Sequence, residues 1–116
     1  MEIFTQKEFD LFKVIAGLSQ TALKKSMTLF LKKHYNNKKV IFTPNYVYAK
    51  GNIPICLVAH LDTVHSKPVK DLYFDRAQDV LWSPQGIGAD DRAGVFAIIS
   101  IINDGLRPHI IFTTDE

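Results

Sequence analysis

Residues 53–64 read Ile53-Pro54-Ile55-Cys56-Leu57-Val58-Ala59-His60-Leu61-Asp62-Thr63-Val64. An uncharged, mostly apolar run is followed at once by His-Leu-Asp. A continuous apolar segment of this length, opened by the turn Lys50-Gly51-Asn52, is the pattern of a strand buried on both faces. In open α/β sheets the carboxyl ends of such strands are where ligands bind, so His60 and Asp62 fall where chemistry is expected. In extended backbone, residues two apart share a face.

Upstream of this strand the periodicity is helical. Thr5 and Glu8 form a capping-box signature, and Phe9, Phe12, Val14, Ile15 and Leu18 follow as an apolar stripe. Gly17 and Ser19 mark an end and a restart. Leu23, Met27, Phe30 and Leu31 then recur at helical spacing, with Lys24, Lys25, Lys32 and Lys33 mainly on the other side. The pair predicts an αα corner covering a sheet. Asn36-Asn37 signals a turn, and Val40-Ile41-Phe42 and Tyr46-Val47-Tyr48-Ala49 read as short strands.

Downstream, Leu72-Tyr73-Phe74 and Val80-Leu81-Trp82 read as an edge hairpin. A helix is predicted from Arg92 to Asn103, with Val95, Ile98, Ile99 and Ile102 facing inward and Gly105 ending it. Ile110-Ile111-Phe112-Thr113 is a last buried strand. Strands interleaved with helices predict α/β, a mostly parallel sheet with flanking helices on both faces. The chain stops shortly after its last strand inside a charged run. This predicts the N-terminal portion of a single larger domain, with an open sheet edge where strands pair and hence self-association.

Composition narrows the function classes. The chain has 116 residues, 47% hydrophobic and 22% charged, which fits one packed domain and excludes a disordered one. A net charge of +2, with its lysines scattered or on helix flanks, argues against a nucleic-acid partner. Cys56 is the single cysteine, which excludes an internal disulfide and suits a reducing compartment; inside its apolar run it reads as a buried small residue. The N-terminus lacks a signal-peptide pattern, and no apolar run approaches the ~20 residues of a membrane span. A soluble, cytoplasmic protein is expected.

Three polar clusters follow apolar elements: His60-Leu61-Asp62-Thr63-Val64, Gly88-Ala89-Asp90-Asp91-Arg92-Ala93-Gly94, and Thr113-Thr114-Asp115-Glu116. A histidine that ligates a metal usually donates its other ring proton to a carboxylate, and Asp62 can accept from His60 if the chain bends back. Asp90-Asp91 enters a helix, where carboxylates either cap backbone amides or one of them bridges two cations while Arg92 orients the other. Thr114-Asp115-Glu116 adds carboxylates at another strand end, where one could act as a general base. His34 reads as a solvated cation at a helix C-terminus, His65 as a cleft residue, and His109 as structural. Tyr73, Phe74 and Trp82 read as hairpin packing.

Together, in order and spacing, Leu57–Val64, Gly88–Gly94 and Phe112–Glu116 resemble the metallopeptidase clan of peptidase T and the M20 and M42 enzymes. Peptidase T-like enzymes are most similar in the second word. The resemblance implies a partial zinc-peptidase fold, phosphorylase/hydrolase-like, with residues 1–116 the N-terminal part of the catalytic domain. It implies His60 as a zinc ligand, Asp62 as the carboxylate orienting it, Asp90 as the bridging ligand with a cis peptide bond after it, and Glu116 as the base that deprotonates a metal-bound water. The implied activity is aminopeptidase or tripeptidase hydrolysis of short peptides with two zinc ions, and a same-clan deacylase or carboxypeptidase is the neighbouring alternative. The family's remaining ligands would lie beyond Glu116, so this chain alone is expected to bind one metal weakly and to turn over little. A non-catalytic remnant or interaction module is the reading from another class.

Overall fold

The computed structural model describes residues 5–62, 71–78, 80–84 and 89–114. The Thr5/Glu8 capping box is formed in both directions and starts α1 (Gln6–Gly17). Ser19 caps α2 (Gln20–His34) by accepting from the Ala22 N–H, so the two helices meet at the two-residue corner Leu18-Ser19. A 3₁₀ turn over Asn37–Lys39 leads into β1 (Val40–Phe42) and β2 (Tyr46–Ala49). β3 (Ile53–His60), a hairpin of β4 (Tyr73–Asp75) and β5 (Val80–Trp82), α3 (Ala89–Asn103) and β6 (Pro108–Thr113) complete the order.

The main sheet has four strands in the order β1-β2-β6-β3. β1 pairs β2 and β2 pairs β6 antiparallel; β3 and β6 are parallel. The expectation of a mostly parallel sheet is therefore corrected to a mixed one. The Thr43–Asn45 turn reverses the chain between β1 and β2, whereas the crossover through α3 makes β3 and β6 parallel.

Val47, Phe112 and Ala59 lie in one row across the sheet, and all three are buried. They pack with Ile15 of α1, Leu23, Met27 and Leu31 of α2, and Val95, Ile98, Ile99 and Ile102 of α3 in one cluster. The neighbouring row, Ile41, Tyr48, Ile111 and Val58, belongs to the other face. There Ile41 is 51% and Val58 59% exposed. Among the described residues the helices thus cover one face, not both.

Two further readings change with this topology. β3 is a marginal strand, not one buried on both faces, and Cys56 within it is exposed. β6, read as the last strand with an open side, is flanked by β2 and β3. The β4–β5 hairpin forms its own two-stranded sheet, with Leu72, Phe74 and Leu81 against Phe9, Phe12 and Phe96. Tyr73 and Trp82 stack across it at 4.7 Å, as cross-strand partners. Among the described residues, no helix is long and apolar enough to cross a membrane.

Candidate metal centre

His60 is the last residue of β3, and Asp90 precedes the regular part of α3. The backbone at Asp90 (φ −93°, ψ 102°) and Asp91 (φ −117°, ψ 34°) is not helical, so regular helix begins at Arg92, as the periodicity predicts. The Asp90–Asp91 peptide bond is cis, the geometry that the resemblance implies. Asp91 turns its carboxylate inward and accepts from the Gly94 N–H at 3.2 Å. A Cβ on Gly94 would collide with that carboxylate, which gives the glycine a local reason.

Asp90 and His60, thirty residues apart, converge: His60 Nε2 lies 2.9 Å from Asp90 Oδ1. The other ring nitrogen, Nδ1, lies 2.9 Å from the Asp62 carbonyl oxygen and 3.3 Å from its Oδ1. The backbone bends after β3 so that Asp62 returns onto the ring, the bend needed for a His-x-Asp pair. The His60 side chain is 14% exposed and that of Asp90 is 90% exposed. One side of the imidazole is therefore held inside, and the other opens to solvent through Asp90.

A neutral imidazole has one N–H and one lone pair. Both His60 nitrogens face oxygens, so either tautomer leaves a lone pair against an acceptor. The arrangement closes electrostatically with a positive charge between them, either a second ring proton or a cation in place of one N–H. One imidazole nitrogen and one carboxylate oxygen fit two positions of a zinc coordination sphere, in which structural sites take four ligands and catalytic sites three. Among the described residues, no set of three His, Cys, Asp or Glu side chains gathers as a metal-holding group. Glu116 and His65 lie outside the described residues.

No family model, curated protein or solved structure matches this chain. The site rests on its own geometry.

Two residues support it in parts other than those read from the sequence. Arg92, expected to orient the second aspartate, donates to backbone carbonyls instead. Arg92, 3% exposed, donates from Nε to Leu61 O at 2.9 Å, and from Nη1 to Ile15 O at 2.7 Å and Leu18 O at 2.9 Å. Leu61 sits between His60 and Asp62, so this guanidinium ties the first motif to the second and also closes the C-terminus of α1. Burial pulls Arg92 below its ordinary pKa, while the Asp62 carboxylate pushes it back up. The signal was available: a cation in the first turn of a helix opposes the macrodipole and needs oxygens from elsewhere. Thr114, also 3% exposed, fixes the end of β6. Its N–H and hydroxyl both reach Asn45 O at 3.0 Å, and its own carbonyl accepts from Gln20 at 2.7 Å.

The remaining side chains read from sequence find plain structural roles. Lys24 is not a solvated flank; its ammonium donates to Thr43 O at 2.5 Å and Pro44 O at 2.9 Å, above the Phe42 ring. His109 Nδ1 accepts from the Gly51 N–H at 3.0 Å, which locks the β2–β3 turn to β6. His34 is held below its usual pKa by burial, then by Arg107 and Lys33, which disfavours the cation expected at a helix C-terminus.

Proposed function

We propose that this chain carries part of a two-metal peptide-hydrolysing centre of the aminopeptidase or tripeptidase type. The supporting observation is that both nitrogens of a mostly buried imidazole face aspartate oxygens, an arrangement that a positive charge would close. His60 Nε2 and Asp90 would hold the metal, with Asp62 fixing the ring through Nδ1. A bound divalent metal supplies a nucleophilic water at neutral pH and a polarised carbonyl. In this reading Asp62 keeps the Nδ1 proton and so directs the Nε2 lone pair outward. Asp90 would bring negative charge at the open rim, and Glu116 would serve as the proton acceptor. Among the described residues His60 and Asp90 are two protein donors where a lasting zinc site takes three or four, so those two side chains by themselves would hold a metal weakly.

The test is a cobalt titration of the chain followed by absorption spectroscopy, with a tripeptide assay alongside. Weak binding that disappears in His60→Ala supports the reading. Unchanged cobalt binding in His60→Ala removes it. Robust tripeptide turnover by residues 1–116 would overturn the expectation of low activity.

A further inference from the structure

A cavity of about 130 Å³ lies where the C-terminus of α2 meets the turn before β3 and the entry to β6. His34, Asn36, Lys39, Lys50, Asn52 and Arg107 line it, and its lining contains no carboxylate. Among the described residues, neither the two lysines nor Arg107 is ion-paired. Lys50 N–H donates to Lys39 O at 3.0 Å, one step beyond the Val40–Ala49 pair, so the two lysines stand opposite each other. Like charges in opposed positions repel. Of the five N–H groups of Arg107, Nε donates to His34 O, and Nη1 to Ile102 O and Leu106 O. Both N–H groups of Nη2 are left over among the described residues. The arginine is held in place: Asn52 N–H donates to Arg107 O at 2.8 Å, and a Cβ on Gly51 would collide with that same oxygen. The surplus of positive charge reaches His34, whose pKa burial, then Arg107 and Lys33, hold below 6.5.

We propose that this pocket binds an oxyanion, either inorganic phosphate or the phosphoryl group of a larger ligand. A doubly charged tetrahedral anion among Lys39, Lys50 and Arg107 relieves their repulsion and accepts from the donors left over. Asn52 brings a side-chain amide, and Asn36, whose Oδ1 already accepts from Lys38 N–H at 3.0 Å, keeps its NH₂ group as a donor. Charge-assisted N–H···O⁻ bonds are roughly twice as strong as neutral ones, and guanidinium geometry suits phosphate oxygens. The cavity is well below the roughly 300 Å³ at which pockets for drug-sized molecules begin. It therefore takes an anionic head, and the rest of any larger ligand lies outside. The eight residues of β3 put about 23 Å between this end of the strand and His60, so the pocket stands apart from the metal-centre reading.

Calorimetric titration with inorganic phosphate and with phenyl phosphate, in chloride buffer at constant ionic strength, tests this, with histidine NMR alongside. Saturable binding with a dissociation constant of about a millimolar or below is expected. The His34 pKa should rise on binding, because the anion offsets Arg107 and Lys33, while that of His60 at the far end of β3 stays put. Lys39→Gln/Lys50→Gln weakens binding by about tenfold or more. Both side chains are exposed, so the far-UV circular dichroism should not change. Lys7→Gln/Lys13→Gln removes the same charge from exposed positions of α1 and leaves binding intact. Tighter binding of phenyl phosphate than of phosphate identifies the head of a larger ligand; equal or weaker binding identifies the free ion. No saturable binding of either compound up to about 50 mM overturns the proposal. So does a loss in the α1 variant as large as in Lys39→Gln/Lys50→Gln, which would mean attraction to net charge alone. Saturable binding that leaves the His34 pKa unmoved also overturns it, since the anion would then sit elsewhere.

Discussion

In the proposed centre the imidazole of His60 would carry the chemistry, and its two aspartate neighbours have separable parts. Asp90 is a rim carboxylate with a 90% exposed side chain, so Asp90→Asn changes the charge and leaves the packing alone. Asp62 acts from the inner side, on Nδ1. If the metal-centre reading holds, Asp90→Asn removes a direct anionic donor and cobalt binding falls below detection. Asp62→Asn keeps a carbonyl oxygen near the ring and weakens binding by roughly 10–100-fold, the usual range for a group that orients a ligand. Isothermal titration of both variants, with unfolding midpoints as a control, checks the ranking. Equal losses in the two would mean that the aspartates serve the site's overall charge rather than distinct positions.

Between elements, two arginines join what the helices leave open. The last turns of α1 and α3 contain no basic residue, and their terminal carbonyls receive donors from elsewhere. Arg92 reaches Ile15 O and Leu18 O at the end of α1. Arg107 donates to Ile102 O at the end of α3, at 2.8 Å, and to His34 O at the end of α2, at 3.1 Å. Next to it the Tyr35 hydroxyl donates to Pro108 O at 2.6 Å, so the entry to β6 is pinned to the end of α2. Arg92→Met leaves three carbonyls without this donor and is expected to cost about 3 kcal/mol or more in urea unfolding. Arg92→Lys keeps the charge but loses the planar fork, so an intermediate loss is expected. These contacts also mark how far the sequence could be read. The Thr5/Glu8 capping box, the inward stripe Val95-Ile98-Ile99-Ile102 and the helix start at Arg92 are set by neighbours within a few residues, and all three were legible. The convergence of His60 on Asp90 was legible only through the likeness of three motifs, because nothing local connects β3 to α3. Strand order was not legible: an apolar run looks alike at the centre and at the margin of a sheet. Pro54 was the overlooked sign, since proline within a strand belongs at an edge or a bulge, and β3 has both, with a register shift between Ile53 and Cys56. Val14, counted into the α1 stripe, is 59% exposed, because the stripe is narrower than its apolar residues suggest.

For the molecule as a whole, the junction around His34 makes stability depend on pH in a stated direction. The ring packs on Phe30 with centroids 4.4 Å apart, while partial burial, Arg107 and Lys33 hold its pKa below the ordinary value of 6.5. A helix C-terminus normally favours a protonated histidine; here desolvation and the two cations outweigh it. Because the folded pKa lies below the unfolded one, the unfolded chain binds this proton more tightly. The contribution of neutral His34 is fully present above pH 6.5 and is lost as pH falls through the folded value. The wild-type chain should therefore melt at a lower temperature at pH 5 than at pH 7.5, and part of that drop should belong to His34. His34→Gln keeps a polar side chain at the position and removes the titration, so its melting temperature should fall less over the same interval. Thermal melts of the two proteins in matched ionic strength make the comparison, and the difference between them isolates one histidine from the other three. A mutant whose drop equals or exceeds that of the wild type would show that His34 is protonated as readily in the folded chain as in the unfolded one, and that the helix end, not Arg107 and Lys33, governs its charge.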